Sequence, residues 1–310
     1  MTGSPSRHWA IGLDVGGTKI AGGVVCLDCG EIVARETIAT RRERGGETVL
    51  ADAVELARRL ITEAALLEHK VGAIGIGVPE LVSPDRAITS RHVIDWQDLL
   101  VAEAFATVAR PVIVADVRAA ALAEATIGAG AGHRIIAYVT VGTGISSCIV
   151  IDGEPFEGAR GNALVLASAP LDTLCAVCGE RSQLVLEEYA SGPAIVDRFN
   201  QATGATTTGA EEVLAAAASG DAAAIDILRS SGEALGNSVG LLVNIIDPGI
   251  VVIGGGLGST GGAYWEAFSE SARAHIWSPE TRQLPIVRAA LGPASGLIGA
   301  ALSTERRAES

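Results

Sequence analysis

Trp9–Cys26 reads WAIGLDVGGTKIAGGVVC, an apolar run that ends in Asp14, followed by a Gly-Gly-Thr turn and a second apolar run. Two short apolar runs joined by a glycine turn are typical of a β-hairpin. A further turn at Asp28-Cys29-Gly30 leads to a third run, Glu31–Ile38. The N-terminal stretch therefore predicts a three-stranded antiparallel meander.

The same order of features returns in mid-chain. Arg134–Val141 leads to Gly142-Thr143-Gly144, then to Ile145–Ile151, an Asp152-Gly153 turn and a short run, Glu154–Phe156. A single glycine-rich hairpin arises easily by chance. Two in matching order, about 125 residues apart, indicate an internal duplication.

Outside the two meanders, helical and strand patterns alternate, which is typical of an α/β protein. The predicted helices cover 47–68, 97–109, 117–128, 182–200, 210–219, 221–246, 262–276 and 295–304, and the predicted strands cover 71–78, 111–115, 250–253 and 286–290. A glycine-rich break falls at 129–133. We expect a domain at 1–130, a larger domain at 131–292, a ligand cleft between them, and a C-terminal helix (about 293–306) that packs back on the first domain.

Composition excludes several classes of function. The 310 residues include 48% hydrophobic residues and carry a formal net charge of −13. Lys19 and Lys70 are the only lysines and the arginines are scattered, so no basic surface for nucleic acid is predicted. Apolar runs are too short to cross a bilayer, and the N-terminus does not read as a signal peptide. We expect a soluble, cytoplasmic protein without nucleic-acid or membrane partners.

Residues 14–18 (DVGGT) form a pattern that suits phosphate binding. Glycines let backbone N–H groups approach an anion, a threonine hydroxyl can donate to it, and an aspartate can hold Mg²⁺ or its water. An ordinary type I′ turn is the alternative for one such stretch, but Gly142-Thr143-Gly144 supplies a second. A third glycine turn, at 254–256, lacks the G-x-G-x-x-G spacing, which disfavours NAD.

Five cysteines include two C-x-x-C pairs, Cys26/Cys29 and Cys175/Cys178. Each pair could be half of a zinc site, but nearly 150 residues separate them. An odd number of cysteines without a secretion signal does not suggest a disulfide framework. Cys26 and Cys29 are better explained as small residues flanking a hairpin turn.

Motifs along residues 9–302 resemble, in order, those of the ROK family (repressors, open reading frames, kinases). They are Leu13-Asp14-Val15-Gly16-Gly17-Thr18-Lys19, Gly75-Ile76-Gly77-Val78-Pro79, Val114–Glu124, Val141–Ile145, Glu187–Gly192, Asn244–Pro248 with Gly254-Gly255-Gly256, and Gly292–Ala300. The resemblance implies a duplicated actin-like (ribonuclease H-like) ATPase fold, α/β in class, with two domains flanking a cleft. Repressor members carry a helix-turn-helix before the first motif. Only about a dozen residues precede it here, so a transcription factor is not expected.

The resemblance also implies ATP-dependent phosphorylation of a sugar hydroxyl. Asp116 matches the family's general base, although an aspartate after a strand and before a helix could also be a simple N-cap. Glu187 matches a glutamate that binds sugar hydroxyls. The residues implied in ATP and phosphate binding are Asp14, Gly16, Gly17, Thr18, Lys19, Gly142, Thr143, Gly144, Gly254, Gly255 and Gly256, with Asp14 as a Mg²⁺ ligand.

Departures from the family pattern point to an altered acceptor site. Val165-Leu166-Ala167-Ser168 stands where the family has Glu-x-Gly-His, whose polar groups contact the C1/C2 side of the sugar. That histidine is also a zinc ligand, and here only Cys175 and Cys178 remain of the cysteine cluster, so zinc is not expected. Ala115 replaces an asparagine before Asp116. Glu80 and His92 also depart from the pattern, and we expect both to contact the substrate.

These departures favour a modified ring over plain glucose, because a dry pocket without partners leaves hydroxyls unpaired. We expect an aminosugar or a C7-cyclitol, phosphorylated on its exocyclic CH₂OH, as in natural-product pathways such as antibiotic biosynthesis. The alternatives are an ordinary glucokinase with an altered pocket and a non-catalytic sugar-binding sensor. A homodimer is a family expectation. The sequence leaves open whether Leu164–Gln183 is ordered without metal.

Overall fold

The computed structural model of the protein describes residues 8–174, 179 and 181–305, which form twelve strands and ten α-helices. The strands are β1 (Trp9–Val15), β2 (Lys19–Cys26), β3 (Ile32–Ala39), β4 (Val71–Val78), β5 (Arg110–Ala115), β6 (Ile135–Val141), β7 (Ile145–Ile151), β8 (Glu154–Pro155), β9 (Pro170–Leu174), β10 (Arg181–Val185), β11 (Ile250–Gly254) and β12 (Ile286–Arg288). The helices are α1 (Gly46–Leu66), α2 (Val101–Ala106), α3 (Asp116–Thr126), α4 (Leu186–Ala190), α5 (Gly192–Thr203), α6 (Ala210–Ala218), α7 (Ala222–Ile246), α8 (Gly255–Gly258), α9 (Gly262–His275) and α10 (Ser295–Leu302). None of these helices is both long and apolar enough to span a membrane.

The chain divides into two compact units. The first comprises Met1–Gly132, Gly153–Ala163 and Pro293–Ser310, and the second comprises His133–Asp152 and Leu164–Gly292. The first unit contains the whole of the first predicted meander, and the second unit contains the hairpin of β6 and β7 from the second meander.

Gly153–Ala163 lies in the first unit, whereas the predicted boundary places it in the second domain. Two side chains of the first unit explain the difference. Arg86 pairs with Glu157 (Nη1–Oε1 2.7 Å), and the buried Arg118 donates to the carbonyl of Gly161. The hydrophobic pattern of the sequence does not predict these contacts, because they depend on how distant segments of the chain meet in the fold.

The first unit is built on a mixed five-stranded sheet in the order β3-β2-β1-β4-β5. β1 runs antiparallel to β2 and parallel to β4, which is parallel to β5. Ile11, Leu13 and Ile76 are fully buried in its core, against which α1 packs its apolar face. Since β1, β4 and β5 are parallel, residues that end or follow these strands share one edge of the sheet.

Two glycines let α10 lie directly on this sheet. A methyl group at Gly12 would overlap the carbonyl of Leu297, and one at Gly75 would overlap that of Ala300. Glycine in a strand interior often marks such a close approach of backbone. The packing makes the C-terminal helix part of the first unit.

The second unit has a sheet in the order β12-β11-β6-β7, with β6 antiparallel to β7 and parallel to β11. The long helix α7 packs against α9 beside this sheet. Asp221 caps α7, since its carboxylate accepts a hydrogen bond from the N–H of Ala224 (2.9 Å). Asp247 ends the helix in the left-handed region, with φ 50°.

The region 182–200 does not form the single helix that its pattern predicts. β10 continues to Val185, the short α4 follows, and α5 begins a new helix. Ser191 accepts a hydrogen bond from the N–H of Ala194 (3.4 Å), and Pro193 lies in the first turn of α5. An N-cap and an N-terminal proline start a helix, so the chain restarts here rather than continuing.

Candidate active site

The glycine turn of the first unit is held in place by the end of β3. The N–H of Gly16 donates to the carbonyl of Lys19 (2.9 Å), which closes the turn. The fully buried Thr40 donates its hydroxyl to the Gly16 carbonyl (2.6 Å) and its N–H to the Thr18 carbonyl (2.9 Å). Gly17 is partly exposed, and the side chains of Thr18 and Lys19 are exposed. The turn therefore presents a hydroxyl and an ammonium group on a fixed backbone.

Three carboxylates lie along the edge where the parallel strands end. Asp14 is paired with Gly77 of β4, and Val78 is paired with Ala115, which directly precedes Asp116. Glu80 follows β4 by two residues. Such an edge is where ligands bind in open α/β sheets.

The carboxyl group of Asp116 has an unusual acidity. Its pKa is raised to about 7, chiefly by loss of solvation and next by the negative charge of Asp14. The N–H of Val117 (2.6 Å to Oδ1) opposes this shift, and the charge of Glu80 adds a smaller rise. The pKa of Asp14 is also raised by loss of solvation, against the lowering effects of Lys19 and Arg35. An aspartate with a pKa near neutrality can accept or give a proton at physiological pH.

Glu80 is 4% exposed and does not present its carboxylate to a ligand. It accepts hydrogen bonds from the Ser90 hydroxyl and from the N–H groups of His92 (2.8 Å), Val93 (2.6 Å) and Ile94 (2.8 Å). Burial opposes ionisation, but these four bonds outweigh it and lower the pKa of Glu80. Both oxygens are thus engaged by the protein, and the prediction that Glu80 contacts the substrate is not supported by its geometry. His92 itself is exposed.

The second unit holds the other glycine turn. The N–H of Gly142 donates to the carbonyl of Gly144 (2.9 Å), and the N–H of Gly192 donates to the carbonyl of Gly142 (2.8 Å). Glu187 Oε2 accepts from the N–H of Ile145 (2.7 Å), and no described residue donates a hydrogen bond to its second carboxylate oxygen. A larger residue than Gly144 would press on this carboxylate, since a methyl group there would lie 2.7 Å from Oε2.

A cavity of about 680 Å³ opens beside this turn, within the second unit. Its volume falls in the range of small-molecule pockets. The lining residues come from the turn, from α5 and α6, and from the start of α8, and they are Gly142, Thr143, Gly192, Pro193, Val196, Asp197, Asn200, Thr207, Thr208, Gly209, Ala210, Glu211, Leu214, Gly256, Leu257 and Thr260. Of the third glycine turn, only Gly256 lines the cavity. Gly255, at φ 83°, leaves no room for a side chain because a methyl group would overlap the Val141 carbonyl.

Sequence reasoning missed most of this lining, and Asn200 shows why. Its amide donates to the carbonyl of Thr207 (2.8 Å) and accepts from the N–H of Thr207 (2.9 Å). The side chain thereby fixes the loop that forms one wall of the cavity. An isolated asparagine in a helical pattern carries no signal of such a role.

The described residues contain no group of three or more His, Cys, Asp or Glu side chains arranged to hold a metal ion. Mg²⁺ needs fewer, because it binds through one or two carboxylates together with water and substrate phosphates. The partly exposed Asp14 beside Asp116 is a donor set of that kind. Among the described cysteines, Cys26, Cys29 and Cys148 are free thiols, whereas Cys175 and Cys178 lie outside the described residues.

Comparisons with known proteins agree along the whole chain. The ROK family profile matches residues 10–307. The chain is 32% identical to a glucokinase of Streptomyces coelicolor (94% of this chain and 96% of the relative) and 30% identical to an N-acetylmannosamine kinase of Yersinia pseudotuberculosis (94% and 97%). A solved ROK family glucokinase from Streptomyces griseus, in complex with glucose and AMPPNP, has a TM-score of 0.78 at 30% identity (94% and 98%). The fold is the actin-like ATPase fold, and the chain belongs to the ROK family.

Proposed function

We propose that this protein is a kinase that transfers the γ-phosphoryl group of ATP to a hydroxyl group of a sugar-like molecule. The observation that carries the proposal is Asp116, a carboxylate with a pKa of about 7 at the edge where the strands of the first unit end. A non-catalytic sensor has no use for a base with this acidity. The sugar kinases among the relatives support the same activity.

Asp116 would act as the general base. Its carboxylate accepts the proton of the acceptor's CH₂OH group while that oxygen forms a bond to the γ-phosphorus. The bond between the γ-phosphorus and the bridging oxygen breaks, and ADP leaves with that oxygen. Phosphoryl transfer needs little covalent chemistry from the protein, so positioning and charge account for most of the acceleration.

The two glycine turns would hold the phosphates. Backbone N–H groups of Gly16, Gly17 and residues 142–144 bind phosphate oxygens, and Thr18 and Lys19 add a hydroxyl and a positive charge. Asp14 would hold Mg²⁺ directly or through water, and the ion would neutralise charge on the β- and γ-phosphates. The cavity of the second unit would receive the nucleoside, with Gly256 and the Asn200–Thr207 wall around it.

For the acceptor we propose a ring that differs from glucose on its C1/C2 side, an aminosugar or a C7-cyclitol. Val165 is half-exposed and apolar, and the hydroxyl of Ser168 donates to the carbonyl of Val165 (2.8 Å). This segment therefore offers no free polar side chain of the kind that reads hydroxyls. Glu187 would bind other hydroxyls through its second oxygen. Glucose itself is the second candidate, because glucokinases stand among the relatives.

ADP release with Mg-ATP, measured across glucose, mannose, free and N-acetylated aminosugars and C7-cyclitols, tests the proposal. We expect turnover with a preference for a C1/C2-modified ring. Strong turnover of glucose would contradict the acceptor assignment and retain the kinase. Binding of a polyol without turnover of any would favour the sensor.

We also propose that the protein is a homodimer, as the family resemblance implies. Sedimentation velocity tests this, since a mass of twice 31.5 kDa is expected. A monomer at micromolar concentration would contradict it.

A further inference from the structure

The most heavily bonded carboxylate of the described site is Glu80, and it faces the protein rather than the solvent. Its Oε1 accepts from the N–H groups of Val93 and Ile94, and its Oε2 accepts from the hydroxyl of Ser90 and the N–H of His92. Three consecutive backbone donors thus converge on one side chain. The Ser90 hydroxyl in turn accepts from the N–H of Leu81 (2.9 Å), which links both ends of the loop.

The segment held in this way, residues 90–96, lies against the glycine turn of the first unit, which we call the phosphate turn because the proposed function places phosphate there. A methyl group at Gly17 would come within 2.8 Å of the Val93 side chain. On its other side the segment is fixed by Trp96, which is buried and donates from Nε1 to the carbonyl of Gly46 (2.9 Å). Between these two contacts no regular secondary structure holds the backbone. The conformation of His92 and Val93 therefore depends on Glu80.

We propose that Glu80 is a positioning residue that sets the affinity for the acceptor by fixing the backbone of His92, Val93 and Ile94 beside the phosphate turn. The inference rests on the proposed function, in which the acceptor reacts next to this turn. Glu80, the residue after Val78-Pro79, thus acts on the acceptor through the loop and does not touch it. His92, exposed on that loop, is the side chain that Glu80 presents.

Only an ionised carboxylate can satisfy the four donors. It has acceptor positions on both oxygens and no hydrogen of its own, whereas glutamine places an NH₂ group where one oxygen stood. Two of the four donors would then face another donor, so the segment has to move. Aspartate keeps the charge but is shorter by one methylene, so it cannot reach all four donors at once.

The test compares Glu80→Gln and Glu80→Asp with Glu124→Gln as a matched control. Glu124 is also a fully buried carboxylate of the first unit, and it accepts a hydrogen bond from the N–H of Ala129 (2.9 Å). It lies eight residues beyond Asp116 on α3, about 12 Å along the helix. A loss of general stability should affect both positions, but a loss of loop position should affect Glu80 alone.

In Glu80→Gln we expect the KM for the best acceptor to rise between about tenfold and a hundredfold, with the KM for ATP within about twofold of wild type. Glu80→Asp should give an intermediate rise, and Glu124→Gln should leave both constants within about twofold. Amide hydrogen exchange of peptides covering residues 90–96, followed by mass spectrometry, should accelerate at least about tenfold in Glu80→Gln and not in the control.

An active enzyme whose acceptor KM is unchanged in Glu80→Gln, or changed equally in Glu124→Gln, overturns this inference and leaves the kinase proposal intact. Wild-type protein that turns over no acceptor overturns the kinase proposal and the acceptor effect with it. Exchange that stays slow in Glu80→Gln overturns the anchoring role whatever the activity. If Glu80→Gln does not fold, Glu80→Asp provides the same comparison.

Discussion

In the first unit the strand before the glycine turn ends in Asp14-Val15, whereas in the second unit the corresponding strand ends in Thr140-Val141. Both turns are closed by a bond from a glycine N–H across the turn, 2.9 Å long in each. Their surroundings differ: the first shares a sheet edge with Asp116, and the second borders a cavity of about 680 Å³. The same kind of hairpin thus shares a sheet edge with a carboxyl group of raised pKa in one copy, and it borders a cavity in the other.

The strongest test of this difference between the two units is Asp116→Asn. If acid–base chemistry belongs to the first unit, kcat should fall between about 10²- and 10⁴-fold while ATP affinity stays within about twofold. Initial-rate kinetics and calorimetric titration of the nucleotide measure the two quantities. A variant that retains a tenth of wild-type kcat would show that Asp116 has only a structural role as the first residue of α3.

The same substitution should stabilise the protein at alkaline pH. The folded-state pKa of Asp116 lies above its ordinary value, so its contribution to stability is fully present below about pH 4 and is lost as pH rises through about 7. At pH 8 the ionised carboxylate therefore destabilises the fold. Asparagine removes that cost, and chemical denaturation at pH 8 should show a gain of up to roughly 4 kcal/mol that is absent at pH 4.

The pH dependence of acceptor turnover and of nucleotide binding distinguishes the roles of the two units without mutation. Since Asp116 must be ionised to accept a proton, kcat/KM for the acceptor should fall about tenfold per pH unit below a midpoint near pH 7. Nucleotide binding in the second unit should change little between pH 6 and 8, because no histidine is among the described residues that line its cavity. Parallel losses of both would contradict the division.

The turns themselves could be predicted because their signal is local. Apolar runs interrupted by Gly-Gly-Thr or Gly-Thr-Gly specify hairpins, and β1, β2, β6 and β7 begin and end within about two residues of the predicted runs. The segment 182–200 could not be predicted in this way, because Ser191 and Pro193 restart the helix inside a continuous apolar pattern. In this segment the local signals that start a new helix conflict with the helical spacing of apolar residues over the whole stretch.

The site was predictable only where chemistry follows a strand directly. Asp14 is the next-to-last residue of β1 and Asp116 directly follows β5, so the parallel topology alone brings them to one edge. Glu80 attracts attention by its type, but its partners lie 10 to 14 residues onward in a loop without periodicity. Asn200 and Thr207 meet for a similar reason, across the end of α5. Contacts made by loops are a property of the folded chain and leave no pattern in the sequence.

The converse of Asp116→Asn is Asn200→Ala in the second unit. The loss of both bonds to Thr207 frees one wall of the cavity, and the KM for ATP should rise about tenfold while the acceptor KM at saturating ATP stays unchanged. Asn244→Ala is the matched control. Asn244 also makes two bonds, to the carbonyl of His275 and from the N–H of Trp277 (both 2.8 Å), at the far end of α7. If Asn244→Ala raises the KM for ATP as much as Asn200→Ala does, the effect comes from the loss of any such pair of hydrogen bonds and not from the wall of this cavity.

The smallest expected effect concerns what the second unit contributes to the acceptor. Val165→Glu combined with Ser168→His supplies a carboxylate and an imidazole where the side chains are now apolar or bonded within the segment. If the missing polar groups exclude glucose, the double variant should gain about tenfold in kcat/KM for glucose relative to the preferred acceptor. Rates with both acceptors in competition measure that ratio directly. An unchanged ratio would mean that acceptor selection rests with His92 and the loop of the first unit, so that one copy of the duplication both chooses the acceptor and activates it.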